Sequence, residues 1–402
     1  MKNSDELTII LDKLSDELKE EFFEHMIPFW QRLKDNNYGG FYGLMDQNLK
    51  LDKKAEKGCI LNSRILWFFS TAYTCFRDES FLKSANAAYD FLKEHFIDKE
   101  EGGVYWSVDY DGCPADETKH TYNQSFAIYG LAAYYEASSD REALDLAFSL
   151  MDIVESKCRD KDGYLEAFTK RFEKDSNEKL SENGVMAERT MNTLLHIMEA
   201  YTELYRVSKN EKLRENICEI LKIFREKVYN PDKERLEVFF DKDYNSLIDL
   251  HSYGHDIEAA WLIDRTVEVF GFEGTKYDMS DITKVLTRKI YEVAYDGNSV
   301  PAECEKGVVL QTRVWWVECE AIIGFLNGYQ KDTEKDYYLD AAVSVWDYTR
   351  RNMVDKRAGS EWYNELDEEN NPIPGMAIAD PWKCPYHNGR MFIEVIKRCE
   401  AL

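Results

Sequence analysis

Long apolar segments and clusters of basic residues are both missing from this 402-residue sequence. No apolar run approaches the ~18 residues that cross a membrane, and the N-terminus, rich in acidic residues, lacks the apolar core of a secretory signal. The 76 Asp and Glu outnumber the 51 Lys and Arg, which gives a net charge of −25. Nucleic acids and anionic membranes attract clustered positive charge, so neither is an expected partner. We expect a neutral ligand.

Paired cysteine motifs and dinucleotide-binding motifs are absent as well. The nine cysteines are scattered singly from Cys59 to Cys399, and none forms a C-x-x-C pair. Isolated thiols in odd number are typical of a reducing compartment and argue against disulfides or a thiolate metal site. No G-x-G-x-x-G follows a strand to open a helix, so a nicotinamide cofactor has no support. We predict a cytoplasmic protein that needs no cofactor and no metal.

A short motif of glycine and aromatic residues recurs along the chain. Clear copies lie at 39–42, 102–105 and 162–164, and looser copies at 236–240, 296–297 and 359–363. Consecutive copies are roughly 60 to 75 residues apart, which is the length of two helices with their connections. Open helical solenoids have shorter repeats of about 33 to 47 residues, so a closed ring is favoured.

The segments between these motifs have two kinds of helical pattern. Residues 126–135 are apolar nearly all round, as in a helix that is buried on most faces. Residues 141–157 carry charges on one side and apolar residues at i, i+3 and i+4 on the other, as in an outer helix. Six such pairs predict an all-α (α/α)6 barrel of six inner and six outer helices with short β-hairpin segments. No linker divides the chain, so we predict a single domain over residues 1–402.

Unusual polar and aromatic residues cluster near the predicted start of each buried helix. The clusters lie at 62–64, 120–123, 192–196, 251–258, 315–320 and 382–390. Because each falls at about the same place in its repeat, the clusters should converge at one end of the barrel. Inner-helix N-termini meet at that end, and their partial positive charge favours an anion. A deep pocket with histidines, a cation and aromatic walls is expected there.

His255 and His387 are the strongest acid/base candidates among the seven histidines. His387 begins the last buried helix, and His255 lies three residues before Glu258, close enough for the carboxylate to orient it or raise its pKa. Alternatively, Glu258 pairs with a buried cation. A zinc site of His251, His255 and Glu258 is a weaker alternative, because the H-E-x-x-H arrangement is absent.

Further candidates come from the other clusters. Asn192 and His196 share a helical face, although a lone histidine in an apolar helix is often a core residue. Arg64 enters an apolar helix and needs either an ion-pair partner or an anionic ligand. Trp316 shares a face with Glu320, and a tryptophan beside a carboxylate is a common way to hold a sugar, with core packing as the alternative.

These groups suit epimerisation at a carbon beside a carbonyl. One base removes a proton and another returns it to the opposite face, and histidine works near neutral pH. Arg64 and the helix N-termini would stabilise the enediolate. The rival reaction is glycoside hydrolysis, which needs two carboxylates at the helix mouths. A non-enzymatic sugar-binding protein would leave the histidine pair and Arg64 without a role.

The sequence resembles the cellobiose 2-epimerase branch of the N-acylglucosamine 2-epimerase family over nearly its whole length. The shared motifs are GGFYG (39–43), SRILW (63–67), KHTYN (119–123), HSYGHDIE (251–258), RVWWV (313–317) and WKCPYHNGR (382–390). The resemblance implies that His387 and His255 are the acid/base pair and that Glu258 tunes His255. It also implies enediolate contacts from Arg64, Asn192 and His196, and a sugar site lined by Tyr122, Trp315, Trp316, Glu320 and Trp382.

The implied substrate is a β-1,4-linked disaccharide such as cellobiose, lactose or mannobiose, epimerised at its reducing end. We expect a monomer or a weak homodimer. Two departures bear on this expectation. Asn62 stands where relatives tend to have histidine, and Cys319 beside Glu320 resembles the monosaccharide branch, so an N-acylglucosamine 2-epimerase or another monosaccharide epimerase or isomerase is the alternative. The ending at 385–390 favours the disaccharide branch. The charged segment 169–188 is either a lid or a solvated loop.

Overall fold

The computed structural model describes residues 2–181 and 183–402, which are built mainly from α-helices. The helices are α1 (Ser4–Glu21), α2 (Ile27–Arg32), α3 (Cys59–Phe76), α4 (Glu79–Phe91), α5 (Thr121–Ser138), α6 (Arg141–Lys157), α7 (Met191–Ser208), α8 (Glu211–Ile223), α9 (Tyr253–Phe270), α10 (Ser280–Val293), α11 (Trp315–Lys331), α12 (Tyr337–Asn352) and α13 (His387–Ala401). Short π-helical turns, Phe22–Met26, Leu92–Phe96 and Phe224–Val228, follow α1, α4 and α8.

Six helices form a closed inner ring. In ring order these are α3, α5, α7, α9, α11 and α13, each in contact with the next, and α13 contacts α3 to close the circle. Helix α5 is buried from Thr121 to Tyr134, whereas α6 buries one face through residues such as Leu144 and Met151. The (α/α)6 barrel predicted from the two helical patterns is therefore confirmed. Among the described residues, no helix combines the length and apolar composition needed to cross a membrane.

Three inner helices connect to the following outer helix by only two residues. Each inner helix ends at a left-handed residue, and the next residue caps the outer helix by accepting a backbone N–H. These pairs are Arg77–Asp78, Ser139–Asp140 and Lys209–Asn210. Asp and Asn are favoured helix N-caps, so these residues fix where the outer helices begin.

Short antiparallel strands occupy the longer connections from outer to inner helices. They are β1 (Leu44–Met45), β2 (Leu51–Asp52), β3 (Lys57–Gly58), β4 (Ser107–Val108), β5 (Pro114–Asp116), β6 (Lys119–His120), β7 (Ala167–Phe168), β8 (Arg189–Thr190), β9 (Tyr229–Asn230), β10 (Arg235–Leu236), β11 (Phe239–Phe240), β12 (Leu250–Ser252), β13 (Glu303–Glu305), β14 (Val308–Val309), β15 (Arg313–Val314) and β16 (Glu365–Leu366). They pair as β1–β2, β3–β4–β5, β6–β7, β8–β11, β9–β10, β12–β13–β14 and β15–β16. These small sheets surround the N-terminal ends of the inner helices.

A repeated ion pair anchors four of the inner helices at that end. In each repeat a cation two residues before the helix binds an aspartate of the preceding hairpin turn, and the same aspartate accepts backbone N–H groups of its own turn. The pairs are Lys57–Asp35 (2.8 Å), Lys119–Asp98 (2.8 Å), Arg189–Asp160 (2.7 Å) and Arg313–Asp296 (2.8 Å). This arrangement was not predicted from the sequence. It ties each hairpin to the start of an inner helix and so to the site described next.

Candidate active site

A cavity of about 220 Å³ lies at the N-terminal ends of the inner helices. Apart from Glu320, every site residue proposed from the sequence lines it: Arg64, Tyr122, Asn192, His196, His255, Glu258, Trp315, Trp316, Trp382 and His387. These side chains come from all six inner helices and the loops before them. The expected convergence of the clusters is therefore present in the structure.

The two candidate acid/base histidines share an aromatic neighbour. The ring centroid of Trp316 lies 4.8 Å from that of His255 and 5.4 Å from that of His387. Gly254 makes this packing possible, because a Cβ atom there would lie 2.5 Å from the Trp316 ring. Both imidazoles thus reach one cavity although they are far apart in the chain.

His255 is held in its neutral form. Its Nδ1 lies 2.8 Å from Oγ of Ser252, the residue before α9. Burial lowers the pKa of His255 to about 4, because the charged imidazolium would lose its hydration. At neutral pH the ring is therefore unprotonated and able to accept a proton.

His387 is held by a carboxylate from a neighbouring helix. Its Nδ1 lies 2.7 Å from Oε1 of Glu320 on α11. Glu320 also accepts hydrogen bonds from Arg390 at 2.7 Å and from Trp261 Nε1 at 2.9 Å. Burial lowers the pKa of His387 well below its ordinary value, and the nearby guanidinium of Arg390 acts in the same direction.

Glu320 does not line the sugar site as the sequence suggested. We expected it beside Trp316 as an acceptor of sugar hydroxyls, but its side chain is fully buried outside the cavity lining. The helical spacing does put Glu320 on the inward side of α11. It lies one turn deeper than Trp316, however, so it reaches His387 instead of the cavity.

Glu258 also has a different partner from the expected one. Its carboxylate hydrogen-bonds to Arg390 and lies 3.9 Å from Nδ1 of His387, whereas the bonded partner of His255 is Ser252. The alternative considered above, a buried cation beside Glu258, is what the structure shows. Because Glu258 and Glu320 both converge on one guanidinium, they do not form the opposed pair that glycoside hydrolysis requires.

His196 is held by another carboxylate, Glu199, of the same buried network. Its Nδ1 lies 2.9 Å from Oε2 of Glu199, and Tyr386 and Arg390 donate hydrogen bonds to the same carboxylate. Burial lowers the pKa of His196, although the hydrogen bond with Glu199 acts in the opposite direction. The histidine is thus neutral and oriented, with its other edge turned toward the residues that line the cavity.

Arg64 is held mainly by aromatic rings. Its guanidinium donates to the Tyr122 hydroxyl at 2.8 Å and lies 4.1 Å from the ring centre of Phe126 and 4.5 Å from that of Tyr386. The guanidinium also donates to Cys384 Sγ at 3.6 Å, and among the described residues neither of its hydrogen bonds goes to a carboxylate, which distinguishes Arg64 from the cation of a structural ion pair. A buried cation so placed is suited to an oxyanion.

Three polar atoms of cavity-lining residues are buried and, among the described residues, have no hydrogen-bond partner. They are Arg64 Nε, Asn192 Oδ1 and Glu258 Oε2. Buried polar atoms are normally paired, so atoms without a protein partner indicate where a polar ligand binds. One donor and two acceptors match a ligand rich in hydroxyl groups.

A family model described as N-acylglucosamine 2-epimerase (GlcNAc 2-epimerase) matches residues 39–388. The chain belongs to the N-acylglucosamine 2-epimerase family. It is accordingly a carbohydrate epimerase, an enzyme of the isomerase class. Its similarity to relatives covers nearly the whole of each chain.

Two curated relatives and two solved structures illustrate this similarity. Proteins named cellobiose 2-epimerase from Eubacterium cellulosolvens and Dictyoglomus turgidum are 47% and 46% identical, over 94% and 95% of this chain and 97% and 98% of theirs. A sugar epimerase from a ruminal bacterium superposes with a TM-score of 0.94 at 46% identity, covering 96% of this chain and 99% of that one. The cellobiose 2-epimerase of Bacillus thermoamylovorans B4167 superposes with a TM-score of 0.93 at 43% identity, covering 96% and 100%.

In this epimerase the metal alternative built on His251 does not assemble. Nε2 of His251 lies 2.9 Å from Asp256 Oδ2, so this side chain is paired away from His255 and Glu258. Glu258 instead gathers with Glu320 and His387 in a group with ligand atoms within 4.8 Å of one another. The guanidinium of Arg390 already bonds both carboxylates there, so it supplies the positive charge that a bound metal ion would otherwise provide.

Several residues of the epimerase site were assigned no role from the sequence. Ser252, Glu199 and Arg390 each lie within one helical turn of a histidine that was singled out, at i−3 or i+3. That spacing is the signal that identifies Ser252 and Glu199 as partners of their histidines. Arg390 reaches His387 through Glu320. Asn62, by contrast, bonds backbone groups of Gly58 (3.0 Å) and Phe41 (3.4 Å), not Arg64.

The segment 169–188, apart from Glu182, which lies outside the described residues, borders the mouth of the cavity. Leu180 contributes to the lining. Lys179 bonds Thr118 at 2.6 Å on one side, and Asn183 bonds Glu303 at 2.9 Å and Glu305 at 3.2 Å on the other. The segment thus joins the loop before α5 to the β13 hairpin.

Proposed function

We propose that the protein is a cofactor-independent 2-epimerase of β-1,4-linked disaccharides such as cellobiose, lactose and mannobiose. It interconverts the glucose and mannose configurations of the reducing-end sugar. The observation that carries this proposal is the pair of unprotonated histidines, His255 and His387, in one cavity and in contact with one tryptophan ring. The relatives named cellobiose 2-epimerase support the choice of substrate.

In the proposed reaction one histidine takes the proton from carbon 2 of the open-chain sugar. The electron pair of the broken C–H bond forms the double bond of an enediolate, and the negative charge moves to the carbonyl oxygen. The other histidine, after it has taken up a proton from solvent, donates that proton to the opposite face of carbon 2. The electron pair of the double bond forms the new C–H bond, the carbonyl is restored, and the first histidine releases its proton to solvent. Two imidazoles suit these transfers, because burial keeps each ring unprotonated in the resting enzyme and so able to accept a proton.

The oxygen atoms of the intermediate have partners in the cavity. Arg64, whose Nε has no protein acceptor, would stabilise the negative oxygen. His196 and Asn192 line the same region and would contact the adjacent hydroxyl. These interactions strengthen as charge develops, which is how they lower the barrier.

The rest of the disaccharide would lie at the mouth. Trp382 is 40% exposed and lies 5.9 Å from Trp106, ring centre to ring centre, so an aromatic surface is open to solvent there. Aromatic faces pack against the apolar C–H faces of sugars. The second sugar ring would stack on this surface while the reducing-end ring enters the cavity.

The test is incubation of the purified protein in D₂O with cellobiose, mannobiose, glucose and N-acetylmannosamine, followed by NMR. We expect the disaccharides to be converted, with deuterium at carbon 2 of both product and recovered substrate. Conversion without deuterium would refute proton exchange with solvent. Turnover of the monosaccharides alone would refute the disaccharide assignment in favour of a monosaccharide epimerase.

A further inference from the structure

A single buried arginine ties together four of the six inner helices at the floor of the site. Arg390 lies on α13, three residues after His387, and is 1% exposed. Its guanidinium donates hydrogen bonds to Glu199 on α7, Glu258 on α9 and Glu320 on α11. Three carboxylates from three helices thus share one counter-ion.

Two of these carboxylates also hold the rings of cavity-lining histidines. Glu320 Oε1 lies 2.7 Å from Nδ1 of His387, and Glu199 Oε2 lies 2.9 Å from Nδ1 of His196. Arg390 is thus linked to both imidazoles through these shared carboxylates. Removing it would leave buried carboxylates unpaired, which is costly.

The donors around Glu320 define the protonation of His387. Arg390 donates to Oε1 of Glu320 and the indole N–H of Trp261 donates to Oε2. Neither donor can accept a hydrogen bond, so both carboxylate oxygens already act as acceptors. The contact with His387 is consistent with this arrangement when Nδ1 carries the proton and donates it.

We propose that Arg390 is a positioning residue that holds Glu320 as a carboxylate and thereby fixes His387 as the Nδ1-protonated tautomer, with Nε2 as its basic nitrogen. This inference rests on the proposed function, in which His387 exchanges a proton with carbon 2. The same guanidinium holds Glu199 against His196, so one cation prepares two of the groups that face the sugar.

The electrostatic consequence has a definite sign. A positive charge beside His387 disfavours the imidazolium, so the guanidinium keeps the base unprotonated. The facing groups Glu258 and Glu320 favour the imidazolium, and Arg64 disfavours it. Loss of the Arg390 charge leaves the carboxylates uncompensated, so His387 should bind its proton at higher pH.

The experiment compares Arg390→Gln and Arg390→Lys with Arg398→Gln. Arg398 is a matched control because it lies on the same helix, largely buried, and donates to Asn327 Oδ1 at 3.0 Å, eight residues farther from the cavity. The rate kcat/KM with cellobiose is measured from pH 4 to 8, with folding checked by circular dichroism. In wild-type protein labelled with ¹⁵N-histidine, NMR reads the tautomer of His387, assigned by comparison with His387→Asn.

For Arg390→Gln we expect kcat to fall about 100-fold, with a smaller change in KM, and the acidic limb of the pH profile to move up by about one unit. Arg390→Lys should keep the limb near its wild-type position, because the charge remains, while kcat still falls. Arg398→Gln should lose stability without moving the limb.

An unmoved limb in folded Arg390→Gln, or an Nε2-protonated tautomer of His387 in the wild type, would overturn the inference. The tautomer that NMR finds in the wild type supports or overturns the inference even if neither Arg390 variant folds. A wild-type protein that shows no exchange at carbon 2 of any sugar would refute the proposed function instead, whatever the tautomer.

Discussion

The ammonium group of Lys119 lies 2.8 Å from the carboxylate of Asp98, and neither side chain is exposed to solvent. The cation precedes α5 by two residues, and the aspartate accepts N–H groups of its own hairpin turn. This pair joins the end of one helix pair to the beginning of the next. Equivalent ion pairs recur around the barrel, so this pair is a structural feature of the repeat.

Lys119→Met should destabilise the protein by about 3–5 kcal/mol, because Asp98 would remain buried without a counter-charge. Urea unfolding followed by circular dichroism measures the change. Lys99→Met is the matched control: Lys99 pairs with Glu94 at 3.3 Å on the surface, where an ion pair contributes little. Equal stabilities for the two variants would contradict the role given to the buried pair.

His255→Asn and His387→Asn should each reduce epimerisation by at least about 100-fold, since one proton transfer would lack its base. The fold should persist, because asparagine retains a polar group at each position. Deuterium incorporation at carbon 2 is the measurement. His25→Asn, in the π-helical turn that follows α1 and paired with Glu21, should behave as the wild type. Retention of a tenth of the wild-type rate by either site variant would exclude the two-base mechanism.

Gly254→Ala should impair activity without unfolding the barrel. The added methyl group would lie 2.5 Å from the ring of Trp316, which contacts both His255 and His387. The ring must move, and the two histidines lose their common neighbour. We expect a fall in kcat of about 10-fold or more, as misplacement of catalytic groups commonly produces. A crystal structure of the variant with Trp316 unmoved and full activity would contradict this explanation.

The stability that His120 contributes should fall as the pH decreases from about 6.5 toward 4. Burial lowers the pKa of His120 to about 4, so in this range the unfolded chain binds a proton that the folded protein does not. The contribution of this one group approaches about 1.4 kcal/mol per pH unit. Urea unfolding at pH 7, 6 and 5 should therefore show a shallower pH dependence for His120→Gln than for the wild type. Parallel curves would show that His120 is not buried in its neutral form.

Exhaustive dialysis against a chelator should leave activity unchanged. The carboxylates of Glu258 and Glu320 beside His387 are already bonded by Arg390, which supplies the positive charge that a metal would otherwise bring. Rates measured before and after dialysis, with and without added Zn²⁺, test this expectation. Loss of activity that zinc restores would require a metal site.

Much of the fold could be predicted from the periodicity of the sequence. The spacing of the glycine and aromatic motifs predicted the repeat, and the contrast between residues 126–135 and 141–157 predicted inner and outer helices, both of which the structure contains. Because each cluster stood at the same point of its repeat, the sequence also predicted that Arg64, His255 and His387 would meet in one cavity. Local patterns are sufficient for such predictions because helix burial and repeat length depend on neighbours in the chain.

The partners of Glu258 and Glu320 were decided by the tertiary structure alone. Helical spacing made Glu258 a neighbour of His255 and Glu320 a neighbour of Trp316, yet both carboxylates bond Arg390, which is more than sixty residues away in sequence. Whether a hydrogen bond forms depends on differences of a few tenths of an ångström in the distance between side chains on different helices. Those distances are set by how six helices pack around a common axis, and no pattern within one helix contains them.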